Sequence, residues 1–250
     1  MPLRGELFQE IFVDQIHESR PAAVRIGPLI FASEISADPT PDLQPEAQTA
    51  AQLANAFSKM DALLAAAGAT RRDVARVTVF MSDVLERPIL NDVWERWYPD
   101  PQDRPPHKYV PSVHPENVNV AIQVICLMDV DRRVLEIPGV QHGDPMSMGA
   151  KTGNLVTSSR LFGAQPDLDD QITLILERAS ELLEQAGGHL ADLTQATFFV
   201  GSPEIGDAVL TRWDREFANG QNVPMVHIVE ADLGGGNGWP RVEILGLVNS

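Results

Sequence analysis

Asp73-Val74-Ala75-Arg76-Val77-Thr78-Val79-Phe80-Met81 and Asp192-Leu193-Thr194-Gln195-Ala196-Thr197-Phe198-Phe199-Val200 stand 119 residues apart (192 − 73) in a chain of 250. Each begins with an acid and runs on through eight residues dominated by β-branched and aromatic side chains, the composition of a buried strand. Similarity at a fixed displacement is the mark of an internal repeat. It extends both ways from this pair. Upstream, Leu53, Phe57, Met60 and Leu64 follow helical 4-3-4 spacing, and Ile172, Leu176, Ala179 and Leu183 repeat it at the same displacement (172 − 53 = 119). Each helix runs out at an Ala-Gly pair, Ala67-Gly68 and Ala186-Gly187, which supplies a C-terminal cap. Downstream, Asn91-Asp92-Val93-Trp94 matches Leu210-Thr211-Arg212-Trp213, an aromatic helical segment in each half.

Further upstream, Gly27-Pro28-Leu29-Ile30-Phe31-Ala32-Ser33-Glu34 aligns with Gly153-Asn154-Leu155-Val156-Thr157-Ser158-Ser159-Arg160, a glycine turn and a short strand ending in serine. Here the displacement is 153 − 27 = 126, so the first half carries seven more residues between strand and helix. The Pro-rich stretch Ala37–Pro45 accounts for them as a surface loop. Closing strands are expected over Val120–Leu127 and Val242–Val248. The expected organisation is therefore two units, residues 1–135 and 136–250, with a linker or an opening strand around Gly139–Met146. Strand pairs separated by helices give the α+β class, a mixed sheet with its helices on one face. The bare sheet face then requires cover, from the other unit or from another chain.

Composition limits the partners. Hydrophobic residues make up 44% and charged residues 22%, which allows a packed core. Lys and Arg number 19 against 35 Asp and Glu, a net charge of −16. Nucleic-acid and anionic membrane surfaces are bound by cationic patches, so neither is an expected partner. The one cysteine, Cys126, lies in an apolar run and reads as a core thiol. Absence of a disulfide framework and of an apolar leader or span predicts the cytoplasm. The histidines His114, His142 and His189 are scattered, and no metal-ligand spacing occurs. Gly234-Gly235-Gly236-Asn237-Gly238 reads as a hairpin connection, since no helix signal or P-loop lysine follows it.

The order of elements resembles the YjgF/YER057c/UK114 (Rid) family. The resemblance is carried by Gly27-Pro28-Leu29-Ile30-Phe31-Ala32-Ser33, by Ala66-Ala67-Gly68-Ala69 through Met81-Ser82-Asp83, and by Leu90-Asn91-Asp92-Val93-Trp94. It implies two tandem chorismate-mutase-like units, each a mixed sheet backed by two helices. Family units pack sheet to sheet around a threefold axis, so a homo-oligomer, a trimer or pseudo-hexameric arrangement, is implied. The implied activity is hydrolysis of enamine or imine intermediates to a keto acid and ammonia, with no metal or organic cofactor. An Arg holds the substrate carboxylate, and a late Glu positions or polarises water.

Aligned on its Pro pairs, this chain has His107 (beside Lys108) and Met225 where the family has Arg, and Gln123 and Leu245 where it has Glu. Glu34 and Arg160 replace the glycine that follows the first-strand serine. A site rebuilt from other residues would draw on Arg160 or Arg241 for an anionic metabolite and on Glu34 or Glu243 as acid/base. Proton carriers would be His107, Lys108 or His227. Arg241 and Glu243 share one face of the last strand and equally suit a surface salt bridge. Glu34 and Arg160 equally suit an ion pair between units, and Lys108 a solvated charge. Ser33 and Ser159 are further candidates for holding the substrate; His107 also fits a loop, His227 a hydrogen-bonded sheet position, and the two serines backbone satisfaction. The alternative function is a binding module that has lost the carboxylate-holding Arg.

Overall fold

The computed structural model describes residues 8–140, 144–218, 222–231 and 238–249. His142 and the Gly234–Asn237 run lie outside the described residues, as does Gln141–Gly143 of the expected linker. The first unit comprises β1 (Phe8–Ile11), β2 (Ala23–Ile26), β3 (Leu29–Ala32), β4 (Ile35–Ser36), α1 (Pro45–Ala66), β5 (Val74–Met81), α2 (Arg87–Trp97), β6 (His107–Pro111) and β7 (Val120–Leu127). The second comprises β8 (Arg132–Leu135), β9 (Gly149–Thr152), β10 (Leu155–Ser158), β11 (Leu161–Phe162), α3 (Leu168–Gln185), β12 (Leu193–Val200), α4 (Pro203–Phe217), β13 (Met225–Glu230) and β14 (Arg241–Leu247).

The two sheets have one topology. The first runs β1-β2-β3-β7-β5-β6 with β4 on β7; the second runs β8-β9-β10-β14-β12-β13 with β11 on β14. Among the described strands only β5–β6 and β12–β13 are parallel, each joined through a helix, as parallel pairs require. Two mixed sheets, each backed by two helices, are thus the architecture, and the second sheet opens at Arg132, ahead of the expected 135/136 division. Arg132–Leu135 pairs with β9, so edge pairing draws these residues into the second unit.

Periodicity decides which side is core. In β7, Ile122, Val124 and Cys126 alternate onto the helices, where they meet Leu53, Phe57, Met60 and Leu64 of α1 and Trp94 of α2. In the second unit Val242 and Ile244 meet Ile172, Leu176, Ala179 and Leu183 of α3 and Trp213 of α4. Gly68 and Gly187 sit at φ 71° and 87° just beyond α1 and α3, the left-handed conformation their lack of Cβ permits. Cys126 is fully buried and its thiol is pushed up to about 12 by that burial, which leaves no nucleophilic thiolate near neutral pH.

The bare faces of the two sheets meet each other. Ala75, Leu127 and Leu155 are buried there, with Leu29, Ile125 and Leu245 packed against them. Polar clasps surround this apolar centre. Thr157 Oγ1 donates to the Ala75 carbonyl at 2.7 Å, and Ser147 Oγ to the Arg104 carbonyl at 3.2 Å. Arg132 reaches from β8 into the first unit, donating to the carbonyls of Arg71, Arg72 and Val74 and pairing with Asp103 at 2.7 Å. Each sheet has a bulge at the same place, between Val74 and Arg76 and between Leu193 and Gln195. The extra residue in β5 lets Ala75 and Arg76 both serve the inter-unit face.

Candidate functional site

The strand register decides what β6 contributes. In the parallel pair β5–β6, His107 lies beside Val77 and Lys108 beside Thr78. Val77 faces the helical core, so His107 does too; Lys108 faces the second unit. His107 is fully buried, its ring 4.1 Å from that of Trp94 and its Nε2 3.1 Å from the Tyr109 hydroxyl. The expected proton carrier is therefore a core residue on the opposite side of the sheet from the inter-unit face.

Lys108 forms an ion pair with Glu243 of β14, and Arg76 Nη1 stands 3.6 Å from the same carboxylate oxygen. All three side chains are at least nine-tenths buried. Arg160, in the turn after β10, joins them: its guanidinium lies 5.8 Å from the centroid of the Phe199 ring, and the Lys108 ammonium lies 5.3 Å from that centroid. Arg160 Nη1 is buried without a hydrogen-bond partner. Arg241, half-buried on β14, adds positive field at Arg160, and Arg87 pairs with Asp144 at 3.9 Å on the more exposed side.

The charges register this crowding. Burial, with Arg76 and Arg160 nearby, pulls the Lys108 ammonium down to about 8 despite its pairing with Glu243. Burial and then the charge of Arg241 pull the Arg160 guanidinium down to about 10. Burial likewise lowers Arg241, with Arg87 adding to the effect. These are the directions expected when cations leave water and face one another.

The remaining candidates lie elsewhere. Glu34 is exposed and forms no ion pair with Arg160. Ser33 and Ser159 donate to the carbonyls of Ala22 (2.9 Å) and Met148 (3.1 Å), so both hold backbone. His227 is exposed on β13, opposite Thr197. Among the described residues no group of three or more His, Cys, Asp or Glu could hold a metal ion.

Pairing also corrects the equivalences between halves. Val77 pairs with His107 and Ala196 with Val226, and 196 − 77 and 226 − 107 are both 119. Lys108 therefore corresponds to His227, where alignment on the Pro pairs had set His107 against Met225. Thr78 pairs with Gln123 and Thr197 with Glu243, so Glu243, and not Leu245, is the counterpart of Gln123. Arg76 and Phe199 were missed by sequence reasoning. An arginine inside an otherwise buried strand was the available signal, because a buried charge requires a partner.

Residues 16–128 match the family model described as Endoribonuclease L-PSP. The first unit thus matches the model of that family, the YjgF/Rid/UK114 proteins, and the second unit repeats the same topology. No curated protein matches the chain significantly. Among solved structures, it is similar to a conserved Rid-family protein of unknown function, YyfA, from Yersinia pestis, at 18% identity and TM-score 0.43, over 47% of this chain and 99% of that one. A YjgF/YER057c/UK114 family member from Mycobacterium tuberculosis aligns at 22% identity and TM-score 0.40, over 48% and 99%. A putative endoribonuclease from Thermotoga maritima aligns at 23% identity and TM-score 0.41, over 48% and 98%.

Proposed function

We propose that the inter-unit cleft hydrolyses an enamine or imine of a small carboxylic acid without a cofactor. The observation that carries this reading is the buried group of Lys108, Arg76 and Arg160 around one carboxylate, Glu243, in a chain of net charge −16. Lys108 and Arg160 come from different units, as a composite cleft requires. Lys108 supplies a cation one position from where alignment sought the family's Arg.

In this reading Arg160 and Arg241 take the substrate carboxylate, for which a guanidinium fork is suited. Glu243 takes a proton from water as its oxygen adds to the C=N carbon. Glu243 returns that proton to the nitrogen, giving a carbinolamine; the carbinol O–H proton then passes to the nitrogen as the C=O bond forms and the C–N bond breaks, so that ammonia leaves a keto acid. Glu34, outside the cluster, has no part. The test is ammonia release from 2-iminopropionate generated in place from an amino acid. Acceleration over the spontaneous rate is expected, falling roughly 100-fold or more in Arg160→Gln. A rate equal to the spontaneous one, with the wild type folded, overturns the reading.

A binding module is the second reading. It is favoured by the engagement of Glu243 with both Lys108 and Arg76, which draws the carboxylate away from water. Ligand binding with no acceleration of any imine would establish it. The family description names an endoribonuclease, but the excess of acids opposes RNA binding. The chain carries no helix, among the described residues, long and apolar enough to cross a membrane, and a cytoplasmic location fits its unpaired cysteine.

The reading includes self-association. The half of the first sheet not covered by the second unit exposes Phe8, Ile26 and Phe31 on β1–β3; the second sheet, at its opposite edge, exposes Met225 and Val229 on β13. Contiguous apolar residues on a sheet face mark an interface. Because the two halves differ, a second copy can cover both reciprocally. Light scattering is expected to give a multiple of the 27.4 kDa chain mass, reduced to one chain in a Phe31→Glu, Met225→Glu double variant. A monomeric wild type at micromolar concentration would refute it.

A further inference from the structure

The geometry points to a small dianion, an acid carrying two negative charges, as the ligand of the buried cation cluster between the units. The inference deepens the function proposed above by naming the charge of its substrate, yet it rests on the cation cluster and not on turnover. Arg76, Lys108 and Arg160 bring three positive charges to a buried site in which, among the described residues, Glu243 is the one carboxylate, paired with Lys108 and Arg76. A single carboxylate from a ligand would leave one charge over; two negative charges balance the group. Buried charge without compensation is costly. An anion that supplies the compensation is bound for that reason.

Two details say where the ligand charges go. Arg160 Nη1 is buried and has no hydrogen-bond partner, a donor held ready for an oxyanion. Lys108 and Arg160 lie over the same Phe199 ring, at 5.3 and 5.8 Å from its centroid, so one compact molecule can address both. Arg241 and Arg87 extend the positive field toward solvent and draw anions in, and Asp144 beside Arg87 tempers it. The Lys108 ammonium, held near 8 by burial and by its cationic neighbours, would be driven back up by a bound dianion. Binding at pH 8 to 9 should then take up protons.

The experiment is calorimetry of the intact protein with succinate, butyrate and inorganic phosphate at constant ionic strength set with chloride. Succinate and butyrate have the same chain length and differ in one carboxylate. Succinate is expected to bind at least about 10-fold more tightly than butyrate, with a binding enthalpy that varies with buffer ionisation at pH 8.5 in the direction of proton uptake. Phosphate binding as well would support the same conclusion with both charges on one centre. Arg160→Gln is expected to abolish the preference and Arg160→Lys to retain it, with cooperative melting of each variant as the control for folding. Equal binding of succinate and butyrate, no binding of either dianion, or an undiminished preference in a folded Arg160→Gln variant would overturn the inference. Failure of the imine assay alone would leave it standing.

Discussion

Glu243→Gln is expected to lower the melting temperature by roughly 6–20 °C at pH 6, corresponding to about 3–5 kcal/mol for stripping a buried cation group of its carboxylate. Gln keeps the shape, so no cavity forms; the loss is electrostatic. Lys108 and Arg76 both approach the carboxylate oxygen that is replaced, and Arg160 lies close enough for its charge to be affected by it. The effect should shrink as pH rises, because a lysine without its carboxylate sheds its proton more readily, and the neutral amine tolerates burial. In the wild type the Lys108 proton is bound to about pH 8 in the folded state and to its ordinary 10.5 when unfolded. Between those values the unfolded state holds more protons, so this group makes stability rise with pH through the window. Lys108→Met should flatten that rise, and combined with Glu243→Gln it should restore part of the lost melting temperature. Thermal melts of the four proteins at pH 6 and pH 9 form the cycle. Melting of Glu243→Gln within two degrees of wild type at pH 6 would show that the cluster is solvated in solution.

Trp94→Ala is expected to cost about 3–5 kcal/mol, the range for truncating a large buried aromatic. Trp94 is fully buried where α2 meets the first sheet. Its ring centroid lies 5.9 Å from that of Phe57, 4.7 Å from that of Tyr98 and 4.1 Å from that of His107. Removing the indole opens a void bounded by all three, and the short α2 loses the side chain that fastens it. Trp94→Phe should cost much less, because the indole N–H is buried without a hydrogen-bond partner and its removal leaves no group newly orphaned. Denaturant titrations measure both. A midpoint for Trp94→Ala within error of wild type, at unchanged slope, would mean that the first core collapses around the void.

Much of the fold was legible in the chain because repetition and periodicity are local signals. The 119-residue displacement sets β5 against β12, α1 against α3 and α2 against α4. Apolar spacing at 53, 57, 60 and 64 identified the face of α1 that lies in the core. The site was less legible. Lys108, Arg160, Arg241 and Glu243 stood among the sequence candidates, but beside them stood His107, Glu34, Ser33, Ser159 and His227, which the fold puts elsewhere. The choice between His107 and Lys108 turned on one residue of register, and a shift of one reverses the face of every side chain in a strand. Arg76 reaches the inter-unit face because of a bulge that its sequence does not advertise.

The sequence alone determined that there are two copies of one α+β unit, where their helices and strands fall, and that free cations are scarce against the net −16. Only the tertiary structure decided that the bare faces of the two sheets meet, and that Arg76 and Lys108 from one unit share Glu243 with each other and stand beside Arg160 from the other. Periodicity is written into neighbours along the chain, whereas a cation cluster drawn from β5, β6, β14 and the turn after β10 exists only once packing has removed the water between them.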